Sequence, residues 1–167
     1  MTEPELPAVV QRVSNRMREL GCPGQPRALD EARSHVNAAP RELLVSSHLY
    51  RAKSDKHFLV LLPSGRMADP IQLSGVLGEA ELVEIPSELA EIRTGHRFGG
   101  LAPVATDQRS DVVLDIALAR STVLWIPAGD PEWMFPSSYA QILRITAGIA
   151  AEVGDLVIEN RSDALDS

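Results

Sequence analysis

The chain has a single cysteine, Cys22, so no internal disulfide can form and a reducing compartment is expected. Cys22 stands between Gly21 and Pro23 with no second cysteine or histidine nearby, which gives neither a metal ligand set nor an activated thiolate. No apolar run approaches the roughly 20 residues needed to span a bilayer, and Met1-Thr2-Glu3-Pro4-Glu5 lacks the basic and apolar segments of a secretory signal. A cytoplasmic location with no membrane partner is therefore expected. The histidines lack metal-ligand spacing, the acidic residues form no calcium-loop pattern and no Ser-His-Asp triad is evident, so neither a metal nor a cofactor is expected. Positive charge is also scarce: 16 Lys and Arg against 23 Asp and Glu leave a net charge of −7. Phosphate binding needs clustered cations, so a general nucleic-acid binder is excluded and any RNA contact must be local and weak. The nearest approach to a basic patch is Arg41, Arg51, Lys53, Lys56 and His57 around one turn, for which a solvated turn is the simpler reading.

What is present fits one globular domain. The 167 residues suffice for a substantial core, with one domain expected over residues 1–160, an N-terminal helical region over about 1–40 and a polar tail over 161–167. Leu6, Val9, Val10, Val13, Met17 and Leu20 recur at helical spacing and predict a helix from Glu5 to Leu20, with Gly21 just past its end. A weaker helix is predicted from Arg27 to Ala39. Glu42–Ala52 and His57–Leu62 read as two strands joined by the turn Lys53-Ser54-Asp55-Lys56. Asp69 and Pro70 open a short helix that Gly78 ends, Glu81–Ile85 reads as a strand, and Pro86–Thr94 as a helix with Ser87 as its N-cap. Asp111–Ile116 and Thr122–Ile126 are apolar, β-branched runs of strand length, followed by the turn Pro127-Ala128-Gly129-Asp130-Pro131. Trp133-Met134-Phe135 is a short extended piece, and Ser137 or Ser138 caps a last helix through Thr146, terminated by Gly148. Strands mixed with short helices, without regular βαβ alternation, predict an α+β fold: a curved mixed β-sheet, or barrel-like core, with peripheral helices.

The densest concentration of special backbone is Thr94-Gly95-His96-Arg97-Phe98-Gly99-Gly100-Leu101-Ala102-Pro103. Gly95 can take the left-handed conformation after a helix, while Gly99-Gly100 lets the main chain pass close to another backbone or to a ligand. The same residues also suit a tight connection with no ligand.

From about Leu49 to Gly148 the chain resembles the YbaK/ProX family of aminoacyl-tRNA deacylases, which occur free-standing and inserted in bacterial prolyl-tRNA synthetases. The ordered pieces that carry the resemblance are Leu49-Tyr50-Arg51-Ala52, Ala90 to Gly95, Phe98-Gly99-Gly100-Leu101-Ala102-Pro103, Val113-Leu114-Asp115, Val123 to Gly129 and Phe135-Pro136, followed by a helix that begins with serines. The resemblance implies hydrolysis of the ester of a mischarged tRNA and an aminoacyl-tRNA partner, with an aminoacyl-tRNA synthetase as a further candidate partner. It places the ester near Gly99 and Gly100, whose N–H groups would stabilise the oxyanion, with Pro103 beside them and the Ala128-Gly129 turn as the opposite wall. Gly100→Val is then expected to abolish ligand binding with little loss of stability.

Two departures fall at this implied site. The lysine that family members carry on the first strand is replaced by Ser46, and Pro103 is followed by Val104-Ala105 instead of an aromatic residue and glycine. Ser46 and Ser47 are strand residues that either face solvent or line a pocket. His48 and His96 are the acid–base candidates, because imidazole titrates near neutrality. Asp115 matches an acidic residue of the family's central strand, with the anchoring of neighbouring backbone N–H groups as its simpler role. Two functions stay open on these residues: a trans-editing deacylase of altered specificity, and a non-catalytic binding module that has lost the lysine.

Overall fold

Ten residues, Glu42–Arg51, make the strand on which both halves of the sheet depend (β2). The structure is a computed structural model and describes residues 5–154, 156 and 157; the polar tail expected over 161–167 lies outside the described residues. Before β2 come helix α1 (Ala8–Glu19), a two-residue strand β1 (Arg27–Ala28) and helix α2 (Leu29–Ala38). Helix α1 starts three residues later than predicted because Pro7 occupies its N-cap position with extended ψ. It ends as predicted at Gly21, with the N–H groups of Gly21 and Cys22 bonded to the carbonyls of Arg18 and Met17. Arg27 and Ala28, expected in a helix, instead pair with Met134 and Trp133 across an antiparallel ladder.

After β2 the chain forms β3 (His57–Pro63), β4 (Arg66–Met67), α3 (Pro70–Leu77), β5 (Val83–Glu84) and α4 (Ser87–Thr94). Asp69 caps α3 by accepting the Ile71 N–H, and left-handed Gly78 closes it. Ser87 is not the cap of α4: Pro86 takes that position, and no side chain bonds the free N–H groups there. Then follow β6 (Asp111–Asp115), a 3₁₀ turn (Ile116–Arg120), β7 (Val123–Pro127), β8 (Trp133–Ser137), α5 (Tyr139–Thr146), β9 (Ile149–Ala151) and β10 (Leu156–Val157). Ile116, read as strand, leaves β6 because the Asp115 carboxylate caps the 3₁₀ turn. Ser138 caps α5, and Ala147, in the left-handed conformation, ends it one residue before the predicted Gly148.

The main sheet runs β1-β8-β7-β2-β3-β6-β9, with β5 added on β2. It is mixed: β2 lies parallel to β7, and β3 and β9 lie parallel to β6, while the β2–β3, β2–β5, β7–β8 and β1–β8 pairs are antiparallel. β2 divides its length between two neighbours. Glu42, Leu43 and Leu44 pair with β7, and from Val45 onward the strand pairs with β3 instead, so β2 and β7 part after Leu44.

Alternation along the strands builds a core on each face. Val45, Leu49, Leu59, Leu61, Val112 and Leu114 pack against the apolar face of α1 (Val10, Val13, Met17) and against Leu101 and Ala102. On the other face Tyr50, Phe58, Val60, Leu62 and Val113 pack with Leu73 of α3 and with Val153. The glycine loop, residues 94–103, is thus docked on the first of these two faces.

Candidate functional site

The glycine loop leaves α4 at Gly95, whose φ of +74° is the left-handed conformation predicted for it. Thr94 Oγ1 is tied to the Ala90 carbonyl and receives the His96 N–H, which turns the chain sharply at the end of the helix. His96 is buried and acts as a staple. Its Nδ1 accepts the Ala102 N–H at 3.0 Å and its Nε2 lies 3.0 Å from the Ala105 carbonyl oxygen, so Nε2 carries the hydrogen and the ring is neutral. Burial is the main cause that lowers its pKa, with Arg12 acting in the same direction and the Ala105 bond and Asp107 opposing. A second proton would have to displace the Ala102 N–H from Nδ1, so this imidazole is committed to loop geometry.

From the sheet, Ser47 Oγ donates to the Leu101 carbonyl oxygen at 2.6 Å. On its other side the loop meets the turn after β7. Gly129 N–H donates to Gly100 O at 2.7 Å and Arg97 N–H to Gly129 O at 3.0 Å, while Gly100 N–H donates within the loop to Arg97 O at 2.9 Å. The Arg97 guanidinium lies 3.3 Å from the Asp130 carboxylate, which is buried at 6% side-chain exposure and also accepts the Glu132 N–H. Gly129, at φ +97°, lies under α1, where a Cβ would meet Val9 Cγ2 at 2.8 Å. The loop and the Ala128-Gly129 turn are therefore bonded to each other, where the sequence reading expected two walls facing across a pocket.

This changes which backbone groups are free. The N–H groups of Gly95, His96, Arg97, Phe98, Gly100 and Ala102 all have partners inside the protein. Among the described residues the loop N–H groups of Gly99 and Leu101 carry none, and Gly99 stands on the exposed edge of the loop. Pro103, at the exit, lines a cleft of about 390 Å³ between α1 and α5, with Arg16 and Arg109 on its sides.

The remaining candidates come from the sheet. Ser46 and Ser47 alternate, so the hydroxyl that reaches Leu101 is that of Ser47, and Ser46 projects to the other face with Leu62 as its cross-strand partner. Ser46 Oγ is buried and has no hydrogen-bond partner among the described residues. It lies just past the point where β2 and β7 part: continuing their register beyond Leu44 and Trp125 would set Ser46 level with Pro127 and Ser47 level with Ala128. β7 itself ends at Pro127, where the Ala128-Gly129 turn that holds the loop begins. His48, two residues on, is paired with Glu84 at 3.3 Å. Asp115 is buried and receives the Ala117 N–H at 3.5 Å, the anchoring role given as its simpler reading. Gly99, Gly100, His96, Pro103, Ala128 and Gly129 thus form one connected unit, Ser46 borders the strand split on the opposite face of β2, and His48 and Asp115 are engaged elsewhere. Among the described residues no group of three or more His, Cys, Asp or Glu side chains could hold a metal ion.

Sequence reasoning missed the Ser47 bond and the Arg97–Asp130 pair. A strand pattern that fixed the face of either serine would have found the first; nothing in the spacing of Arg97 and Asp130 announces the second.

The fold is shared with solved structures of similar size. One is a candidate trans-editing enzyme for prolyl tRNA synthetase, with a TM-score of 0.79 at 20% identity over 90% of this chain and 99% of that one. Another is a scaffold protein from computational epitope backbone grafting, with a TM-score of 0.79 at 22% identity and the same coverage of both chains. A hypothetical protein, APE2540, gives 0.75 at 16% identity over 86% of this chain and 99% of that one. At these identities the likeness is one of fold. The sequence goes further: residues 26–145 match the model of the aminoacyl-tRNA editing domain, and the chain belongs to that family. No curated protein matches the chain.

Proposed function

We propose that the chain is a trans-editing deacylase, acting in the cytoplasm, that hydrolyses the ester of a mischarged aminoacyl-tRNA at the split between β2 and β7. The observation that carries the reading is the unpartnered Ser46 Oγ, buried just past the point where β2 and β7 part, on the face of β2 opposite Ser47, whose hydroxyl holds the glycine loop. A buried polar atom with no partner calls for a group that the free protein does not supply, and a substrate hydroxyl or ester oxygen is such a group. The exposed Gly99 N–H is the donor for the developing oxyanion, in place of Gly100, whose N–H is spent on Arg97. One well-placed donor contributes about 3 kcal/mol. Water adds to the ester carbonyl, the tetrahedral intermediate collapses, and the terminal ribose oxygen leaves with a proton that originates from that water. His96 takes no part as a base because both ring nitrogens are occupied. With a net charge of −7 the chain offers little to RNA, so a synthetase partner supplies most of the tRNA contact.

A non-catalytic binding module is the second reading, favoured by the absence of the family lysine at Ser46 and by the engagement of His96. An assay of the native chain and Ser46→Lys across a panel of aminoacyl-tRNAs separates the two. The deacylase reading expects slow hydrolysis of at least one substrate and a roughly tenfold gain in Ser46→Lys, since a charge-assisted contact contributes about 1.5–3 kcal/mol. Binding of aminoacyl-tRNA with no hydrolysis by either protein supports the module.

A further inference from the structure

A second pocket lies at the other end of the same sheet. The register sets Arg51 of β2 between Val83 of β5 and His57 of β3, so these three side chains form a row across three strands on one face. Leu89 and Arg93, four residues apart and therefore on one side of α4, border the same space. With Ile85 and Pro86 they enclose a cavity of about 250 Å³.

The chemistry of this cavity is divided. Val83, Ile85, Pro86 and Leu89 make one wall apolar, and Val83 and Leu89, each 56% exposed, leave apolar surface open there. The other side carries Arg51, His57 and Arg93. Arg93 is fixed by three neutral acceptors: Nε donates to Ser110 Oγ, Nη1 to Gln108 Oε1 and Nη2 to the Arg109 carbonyl. These bonds hold the guanidinium in place without neutralising it. Among the described residues no carboxylate lies within salt-bridge distance of Arg93, and one N–H remains on each terminal nitrogen. Arg51 has only Asp55, at 3.8 Å and exposed on both sides, a pair that is worth little. Glu84, the one acid lining the cavity, has its carboxylate paired with His48. The His57 pKa is lowered by burial first and Arg93 next, with Arg51 adding to them while Asp55 opposes. The pocket thus presents two guanidinium groups, of which Arg93 has no carboxylate within salt-bridge distance among the described residues, with Asp55 and Glu84 as the nearby acids.

We propose that this cavity binds a small organic oxyanion carrying a short branched apolar body, with its head between Arg93 and Arg51 and its body against Val83, Ile85, Pro86 and Leu89. The volume falls below the roughly 300–1,000 Å³ of drug-sized sites, which matches a ligand the size of a branched-chain acid. A bare phosphate satisfies the cations but leaves the apolar wall wet, so the carboxylate form is favoured. The site is separate from the glycine loop, and its occupancy does not depend on deacylation.

The test is a titration of the full, isotope-labelled chain with 4-methylpentanoate and, separately, with inorganic phosphate, followed by amide and arginine Nε–H nuclear magnetic resonance. Saturable shifts at Val83, Leu89 and Arg93 are expected for 4-methylpentanoate with a Kd near or below about 1 mM, and binding of phosphate at least about tenfold weaker. An anion bound there offsets the part of the His57 shift that Arg93 and Arg51 cause, while burial, the larger cause, keeps acting in the opposite direction. Leu89→Glu, at a half-exposed rim position, should weaken binding by about tenfold or more while leaving Tm unchanged. Arg93→Gln should also weaken binding by about tenfold or more, but because it loses three bonds to residues 108–110 and lowers Tm, Leu89→Glu is the deciding variant. No saturable shift with either anion, or an affinity unaffected by Leu89→Glu, overturns the proposal. Phosphate binding as tightly as 4-methylpentanoate overturns the apolar half of the site.

Discussion

Gly100 and Asp130 meet backbone to backbone: a Cβ at Gly100 would lie 2.2 Å from the Asp130 carbonyl carbon and 2.4 Å from Pro131 N. Glycine is required there by contact. This reverses the expectation that Gly100→Val would spare stability and remove only binding. Even Gly100→Ala must separate the loop from the turn and lengthen the 2.7 Å bond from Gly129 N–H to Gly100 O. Overpacking against backbone, which cannot rotate away, puts the cost at about 3 kcal/mol, a fall of roughly 6–12 °C in Tm for a chain of this length. A thermal melt checks it. An unchanged Tm would mean that the loop and turn separate freely and that a pocket opens between them.

The His96 staple makes stability depend on pH. The folded pKa lies below the ordinary value of 6.5, burial being the first cause, so the unfolded chain takes up a proton more readily than the folded one. Stability from this residue is fully present above about pH 6.5 and declines as pH falls from there toward the folded pKa. Urea midpoints measured from about pH 7.5 to 5.5 should therefore decrease on the acid side. His96→Gln should be less stable at neutral pH, where it loses one of the two ring bonds, and should show a flatter profile over the same interval. A variant with the same acid slope as the native chain would move the cause to another group.

How much of this was legible follows the length and chemistry of each element. The helices α1, α3, α4 and α5 and the strands β2, β3, β6 and β7 were readable because each repeats an apolar period or carries its own cap. β1, β4 and β10 are two residues long and exist only because a partner strand bonds them, so no local pattern could reveal them. Ile116 has every mark of a strand residue, yet the carboxylate before it ends the strand. In the loop, Gly95 was readable as a positive-φ position, and Gly129 was readable as part of a turn, whereas the need for Gly100 comes from Asp130, thirty residues away in sequence. Arg93 lies in the last turn of α4, where a cation suits the helix end, and its three acceptors all lie in the segment after the loop.

Asp115 should matter for folding more than for catalysis. Its carboxylate is buried and caps the 3₁₀ turn through a long, 3.5 Å bond from Ala117 N–H. A Cβ on Gly154 would come within 2.5 Å of Asp115 Oδ2, so the space around the carboxylate is already full. Asp115→Ala removes the cap and leaves a gap, for about 1–2 kcal/mol of lost stability by chemical denaturation. Binding of aminoacyl-tRNA per folded molecule should stay within about twofold of native. A loss of binding in a variant that melts like the native chain would place Asp115 in the site.

Ser46 and Ser47 give the sharpest test of the strand on which the site rests, because neighbouring hydroxyls on opposite faces make opposite predictions. Ser47→Ala deletes the 2.6 Å bond to Leu101 O and leaves that buried carbonyl oxygen without its partner, a loss of about 1–3 kcal/mol. Ser46→Ala removes a hydroxyl that is buried and unpaired, so the folded protein loses no bond and sheds a desolvated polar atom. Its stability should be unchanged or higher by up to about 1 kcal/mol. Urea unfolding of both variants decides the matter. If Ser46→Ala is the damaging change and Ser47→Ala the neutral one, the register of β2 is displaced by one residue, since a slip of one exchanges the faces of every side chain on the strand. The hydroxyl at the split beside β7 would then belong to Ser47, and the lysine test would have to be moved to that position.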